Sequence, residues 1–155
     1  MIAKSTYSFI KNEEKCRLHA YLDTAGIPTI GWGSTMYKDG KRVKMGDVIT
    51  QQQADELLEW EVKNKAGAIV DLLHNIVLNQ NQLDALISLA YNIGVSGFRS
   101  STVLKRVRQN QNDQTIRDAF MMWNKVTDPK TDKKVECEGL TNRRRREADL
   151  YFKKP

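Results

Sequence analysis

The sequence predicts an α+β protein with a small N-terminal antiparallel sheet lobe and a larger helical C-terminal lobe, joined by a long helix, with a cleft between. Three observations carry this. Residues 18–48 show no helical period and are punctuated by Gly26, Pro28, Gly31, Gly33 and the pair Asp39-Gly40, the residues of tight turns and short strands. A helical period sets in near Ile49 and runs towards His74. Beyond Asn79, apolar residues recur at helical spacing in segments separated by Gly94, Gly97 and polar runs. A chain of 155 residues is long enough to bury one or two small cores and fits a single domain, 1–155. Its lobes are expected at about 13–60, and at 1–12 together with 75–155.

Each element has a local reason. Ser5 or Thr6 can cap a first helix in which Phe9 and Ile10 are apolar, with Glu13 and Glu14 one turn on. Leu18, Ala20 and Leu22 alternate as a strand does, Thr29 to Gly33 is short and broken by glycine, and Asp39-Gly40 marks a hairpin turn. Two or three such strands are too few to fold alone. Thr50 and Gln53 have capping-box spacing, and Ala54, Leu57, Leu58, Val62 and Ala66 follow at helical period. That helix is one long element or two, Gly67 being the expected break.

Asn79 to Gln82 caps the next helix, whose Leu83, Ala85, Leu86, Leu89, Ala90 and Ile93 are apolar nearly all round, the mark of a core helix. Ser101-Thr102 opens another that ends before Asn110. Gln114 to Lys125 forms the next, with Ile116, Ala119, Phe120 and Trp123 on one face. Residues 127–134 read as a polar loop. The last helix is expected from about Thr141 to Phe152, with Ala148, Leu150, Tyr151 and Phe152 inward. His74 reads as a surface or capping group.

Composition narrows the function. Apolar content of 40% and charged content of 28% are those of an ordinary globular chain. The net charge of +6 suits a polyanionic partner: nucleic acid, an anionic membrane face or an acidic wall polymer. No DNA- or RNA-binding motif accompanies the charge. No segment approaches the roughly 20 apolar residues of a membrane span, and Met1 to Tyr7 lacks the apolar core of a signal peptide. Cys16 and Cys137 are therefore expected to be reduced. Nothing calls for a cofactor or a metal.

The chemistry is concentrated near the N-terminus. Glu14 stands at the end of a helix, where the macrodipole disfavours a carboxylate, so its presence there asks for a reason. Asp23 follows nine positions on and Thr29 six beyond that. Two carboxylates of different surroundings, on rigid scaffolding beside a cleft, are what cleavage of a glycosidic bond requires. Cys16 and His19 lie three apart, a pairing more often incidental than nucleophilic.

Glu14, Arg17-Leu18, Tyr21-Leu22-Asp23 and Gly26-Ile27-Pro28-Thr29-Ile30-Gly31-Trp32-Gly33 resemble the phage-type lysozymes, the family of lambdoid endolysins and the T-even phage lysozyme. Leu83 to Gly94 resembles that family's central helix. Trp123-Asn124-Lys125 and Gly139 to Ala148 resemble its C-terminal signature. The likeness covers nearly the whole chain. Lys15 departs from the glycine usual after the glutamate, and Ser34 from the usual histidine. Glu13 stands beside Glu14, but only Glu14 is nine before Asp23.

The resemblance implies a lysozyme-like fold and a muramidase cutting the β-1,4 bond between N-acetylmuramic acid and N-acetylglucosamine in peptidoglycan. Glu14 would be the general acid, Asp23 the group that orients a water or stabilises positive charge, and Thr29 a further hold on that water. Gly33, Tyr91, Asn92 and Arg143 would contact substrate, with Arg143 near Glu14. The run Arg143 to Arg146 spans a full turn and reads mostly as a solvated face. A monomeric endolysin is implied, held in the host cytoplasm until a holin lesion opens the wall, without nucleic acid or stable membrane insertion. Competing readings are a non-catalytic wall-binding module, a lytic transglycosylase and a basic nucleic-acid binder.

Overall fold

The computed structural model describes residues 2–155. Helix α1 (Lys4–Glu13) leads into strands β1 (Arg17–Leu22) and β2 (Pro28–Gly31), and α2 (Gln51–Leu72) follows. Then come α3 (Gln80–Ile93), α4 (Val95–Arg99), α5 (Thr102–Gln109) and α6 (Ile116–Met121). Strands β3 (Lys125–Thr127) and β4 (Lys134–Glu136) precede the final helix α7 (Glu138–Phe152). This is the α+β arrangement expected, with helices dominant and two small antiparallel sheets. The chain falls into two compact units, Met1–Asn64 and Lys65–Pro155. Helix α1 belongs to the first of them, whereas the sequence grouped residues 1–12 with 75–155.

In the first unit β1 and β2 pair antiparallel, with Arg17 opposite Gly31 and Tyr21 opposite Thr29, and the register shifts between those pairs. Isolated bridges extend the sheet: His19 with Val48, Ile30 with Ser34, and Met36 with Arg42. The last of these closes over the Asp39-Gly40 turn, where the Tyr37 amide donates to Lys41 and the Gly40 amide to Tyr37. Ile10, Ile30, Val43, Leu57, Leu58 and Val62 are buried. A two-stranded sheet gains independent stability only by packing of this kind.

Helix α2 is a single helix through Gly67, not two. One internal glycine costs about 1 kcal/mol relative to alanine, which buried Ala66 and Ile69 on either side can offset. Its start is the capping box expected: the Gln53 amide donates to Thr50 Oγ1 at 3.1 Å and the Thr50 amide to Gln53 Oε1 at 2.9 Å. Helix α1 differs, having Ala3 as N-cap with no side-chain cap, so Ser5 and Thr6 lie inside it.

The second unit is built around α3, buried continuously from Asp84 to Tyr91. Its Asn79–Gln82 capping box has both halves formed, and Ser101 caps α5 by accepting the Leu104 amide. Phe98, Leu104, Val107, Phe120 and Tyr151 complete the core, with the Phe120 and Tyr151 rings 5.9 Å apart between centroids.

Three expectations fail here. Helix α6 stops at Met121 instead of running to Lys125, and α7 begins at Glu138 instead of Thr141. The polar loop expected over 127–134 is present at 128–133, and the β3–β4 strands that flank it are three residues each and mostly exposed, too short for a two-residue period to register. The arginine run is only half solvated, for Arg143 and Arg144 are buried, Arg144 wholly so. Both close on Glu147, itself 0% exposed: Arg144 Nε lies 2.6 Å from Oε1, and Arg143 Nε 3.3 Å from Oε2. Ser88 donates to Oε2 at 2.5 Å. Burial pushes the Glu147 carboxyl up, against the pull of Arg144, Arg143 and the Ser88 hydroxyl.

Candidate active site

Glu14 is the C-cap of α1, with extended backbone (φ −102°, ψ 138°), and its amide donates to Ile10 at 2.8 Å. The side chain thus leaves the helix at its last turn instead of lying along it. What faces it is Gly33. A Cβ at Gly33 would stand 3.3 Å from Glu14 Oε2 and 3.6 Å from Cδ, and the backbone there has φ +96°. Only glycine gives both the left-handed backbone and the room for the carboxylate.

Asp23 begins the turn after β1. Its Oδ1 accepts the amides of Ala25 at 2.8 Å and Ile27 at 2.9 Å, the side-chain turn that aspartate makes readily. Gly26, at φ +77°, lets the chain reverse, and the Asp23 amide donates to the Ile27 carbonyl. Thr29 is 3% exposed, and its hydroxyl donates to the same Ile27 carbonyl at 2.8 Å. Asp23 and Thr29 are therefore tied to one residue, Ile27, from either side of its peptide units. The Thr29 proton is committed, so its oxygen faces other partners as an acceptor.

Tyr21 joins these groups, though the sequence marked it only as part of a motif. It pairs with Thr29 across the strands, and Arg17 stacks on its ring at 4.5 Å. Burial pushes the phenol up, the Glu14 and Asp23 charges add to that, and Arg17 opposes it. Its position two residues before Asp23 in an alternating strand is the signal that could have found it.

The other expected site residues lie in the second unit. Tyr91 is 6% exposed, with Lys65 Nζ 4.5 Å over its ring and 3.2 Å from its carbonyl. Asn92 is exposed, and its Oδ1 accepts from Arg144 at 2.8 Å, leaving the amide N–H groups as donors. Arg143 is held by Glu147 and by Ser88, whose carbonyl and hydroxyl it reaches at 3.4 and 3.5 Å. The structure thus groups Glu14 with Gly33, Asp23 with Thr29, and Arg143 with Asn92 through Arg144 and Glu147. Cys16 and Cys137 are unbridged, and Cys16 Sγ lies against the Gln51 amide.

Comparison with known proteins finds a coherent set of relatives. The family model described as phage lysozyme matches residues 11–147. The endolysin of Salmonella phage P22 is 42% identical over 152 residues, covering 97% of each chain. Among solved structures, an endolysin from Escherichia coli O157:H7 phage FAHEc1 matches with a TM-score of 0.88 at 41% identity, over 98% of this chain and 93% of that one. The muramidase domain of SpmX from Asticaccaulis excentricus matches with a TM-score of 0.82 at 28% identity, over 99% of both.

Proposed function

Because the chain belongs to the phage lysozyme family, we propose that it is an endolysin that hydrolyses the β-1,4 bond between N-acetylmuramic acid and N-acetylglucosamine in bacterial peptidoglycan. The observation that carries the mechanism is the pairing of two unlike acidic sites: Glu14 against bare Gly33, and Asp23 tied with Thr29 to Ile27. The solved muramidase domain of the same fold supports the choice of bond.

Glu14 acts as the general acid, giving its proton to the glycosidic oxygen as the bond to the anomeric carbon breaks. A water donates one hydrogen to Asp23 and the other to the Thr29 oxygen, whose own proton is already committed to Ile27. That leaves a lone pair of the water for the anomeric carbon, and Asp23 takes up the released proton. A water opposite the acid gives inversion, which wants the two carboxyls roughly 6.5–9.5 Å apart. A positioned acid supplies about 10²–10⁴-fold. The Asp23 charge and distortion of the sugar ring supply the rest.

Gly33 lets a sugar approach the backbone beside Glu14. Of the residues expected to touch the glycan in the second unit, exposed Asn92 keeps its amide donors for it, whereas Arg143 is buried against Glu147 and Ser88. The net charge of +6 draws the enzyme to the anionic wall. Among the described residues no helix is long and apolar enough to cross a membrane. The protein works as a monomer, collects in the host cytoplasm and reaches the wall through a holin lesion.

The test is clearing of purified peptidoglycan by the wild type and by Glu14→Gln, with mass spectrometry of the products. Reducing muramic-acid ends, and at least a 100-fold loss in the variant, are expected. Anhydro ends would make the enzyme a transglycosylase. Wall binding by a folded wild type without clearing would leave only a binding module.

A further inference from the structure

We propose that Asp55, on α2, is a positioning residue that holds Glu14 in place through Trp32 and Lys11. The inference rests on the proposed role of Glu14 as the acid.

Glu14 lies just past the end of α1, so helical hydrogen bonding does not by itself aim its side chain. The segments around it converge on one oxygen atom instead. Asp55 Oδ1 accepts the Trp32 indole N–H at 2.8 Å and the Gln51 amide at 3.1 Å, and lies 3.3 Å from Lys11 Nζ. Each donor lies on, or touches, a segment next in the chain to Glu14 or Gly33. Trp32 precedes Gly33, the residue against the Glu14 carboxylate. Lys11 is in the last turn of α1, three residues before Glu14, and its ammonium stands 5.2 Å from the Trp32 ring centroid. Gln51 also touches Cys16, two residues after Glu14, at 3.6 Å.

One side chain therefore ties together the helix that ends at Glu14, the turn that faces it and the strand approach that follows. The Lys11 and Asp55 side chains are 37% and 42% exposed, so their charge attraction is weakened by solvent. Directed hydrogen bonds do the holding, that from Trp32 being the shortest. Removing the acceptor lets Trp32-Gly33 drift from Glu14, and small misplacements of a catalytic group carry large rate costs. This predicts that shape and acceptor capacity at position 55 matter more than its charge.

The experiment measures kcat and KM on soluble, uncross-linked peptidoglycan strands for Asp55→Ala, Asp55→Asn, Trp32→Phe and the Asp55→Ala/Trp32→Phe double variant. Glu14→Gln is assayed alongside, and rates are normalised to the folded fraction from thermal unfolding. Asp55→Ala is expected to lower kcat about tenfold with KM within about twofold. Asp55→Asn, which keeps the Oδ1 acceptor, should recover most of that kcat. The double variant should be no slower than Asp55→Ala alone, because both changes delete the same bond. An unchanged kcat in Asp55→Ala, a loss confined to KM, an Asn variant as slow as Ala, or multiplicative losses in the double variant would each overturn the inference. Full activity in Glu14→Gln would overturn the catalytic reading beneath it, so the two failures are told apart.

Discussion

The two compact units each contain one glutamate with an arresting environment, and the contrast separates chemistry from packing. Glu14, in residues 1–64, is half-buried at a helix end, against a glycine that leaves it space. Glu147, in residues 65–155, is wholly buried in the middle of α7, clasped by two arginines and a serine hydroxyl. The first keeps access to solvent, as the proposed acid requires. The second is enclosed by its partners, and its work is to hold α3 to α7. Identity as a glutamate decides neither; burial and access to solvent do.

The sharpest way to break this contrast is to remove both carboxylates in turn. Glu147→Ala should cost about 3–5 kcal/mol, since it leaves two guanidinium groups buried without their counter-charge. Glu14→Ala, measured by the same denaturant unfolding, should change stability by no more than about 0.5 kcal/mol while abolishing activity. Equal losses of stability in the two variants would remove the distinction.

Next in size is Gly33→Ala. The left-handed backbone should cost about 1–2 kcal/mol, and a Cβ at 3.3 Å from Oε2 should displace the carboxylate enough to slow turnover about tenfold. Stability loss with wild-type turnover would mean that the close approach to Glu14 has no catalytic consequence. In the second unit, Asn79→Ala deletes the side-chain half of the α3 capping box. It should cost about 1 kcal/mol in thermal unfolding with activity per folded molecule unchanged.

The smallest effect concerns alkaline pH in the first unit. Tyr37 donates to Asp47 Oδ2 at 2.8 Å, and its phenol is pushed up from 10.0 to about 12, by burial first and then by the bond to Asp47. A folded-state pKa above the unfolded one favours the neutral phenol in the native protein. Its contribution is complete below pH 10.0 and is lost as pH rises through about 12. Stability of wild type should therefore fall more steeply over that interval than stability of Tyr37→Phe, as read by urea midpoints. Parallel curves would show the bond to be without energetic weight.

Sequence alone determined the features that depend on a few neighbouring residues. The Thr50–Gln53 and Asn79–Gln82 boxes, the Ser101 cap and the Asp39-Gly40 turn are local hydrogen-bonding chemistry, complete within four residues. The order Glu14, Asp23, Thr29 with its glycines was legible for the same reason, and so was the family. The sequence left open whether α2 breaks at Gly67; packing around Ala66 and Ile69 outweighs one glycine's propensity and keeps it one helix. The β3–β4 hairpin escaped notice because six mostly exposed residues carry almost no pattern. Only the tertiary structure decided that Arg143 and Arg144 turn inward onto Glu147, and that Lys11, Gln51 and Trp32 meet at Asp55. Those arrangements join residues far apart in sequence, and a charged side chain reads the same along the chain whether solvent or a buried partner satisfies it.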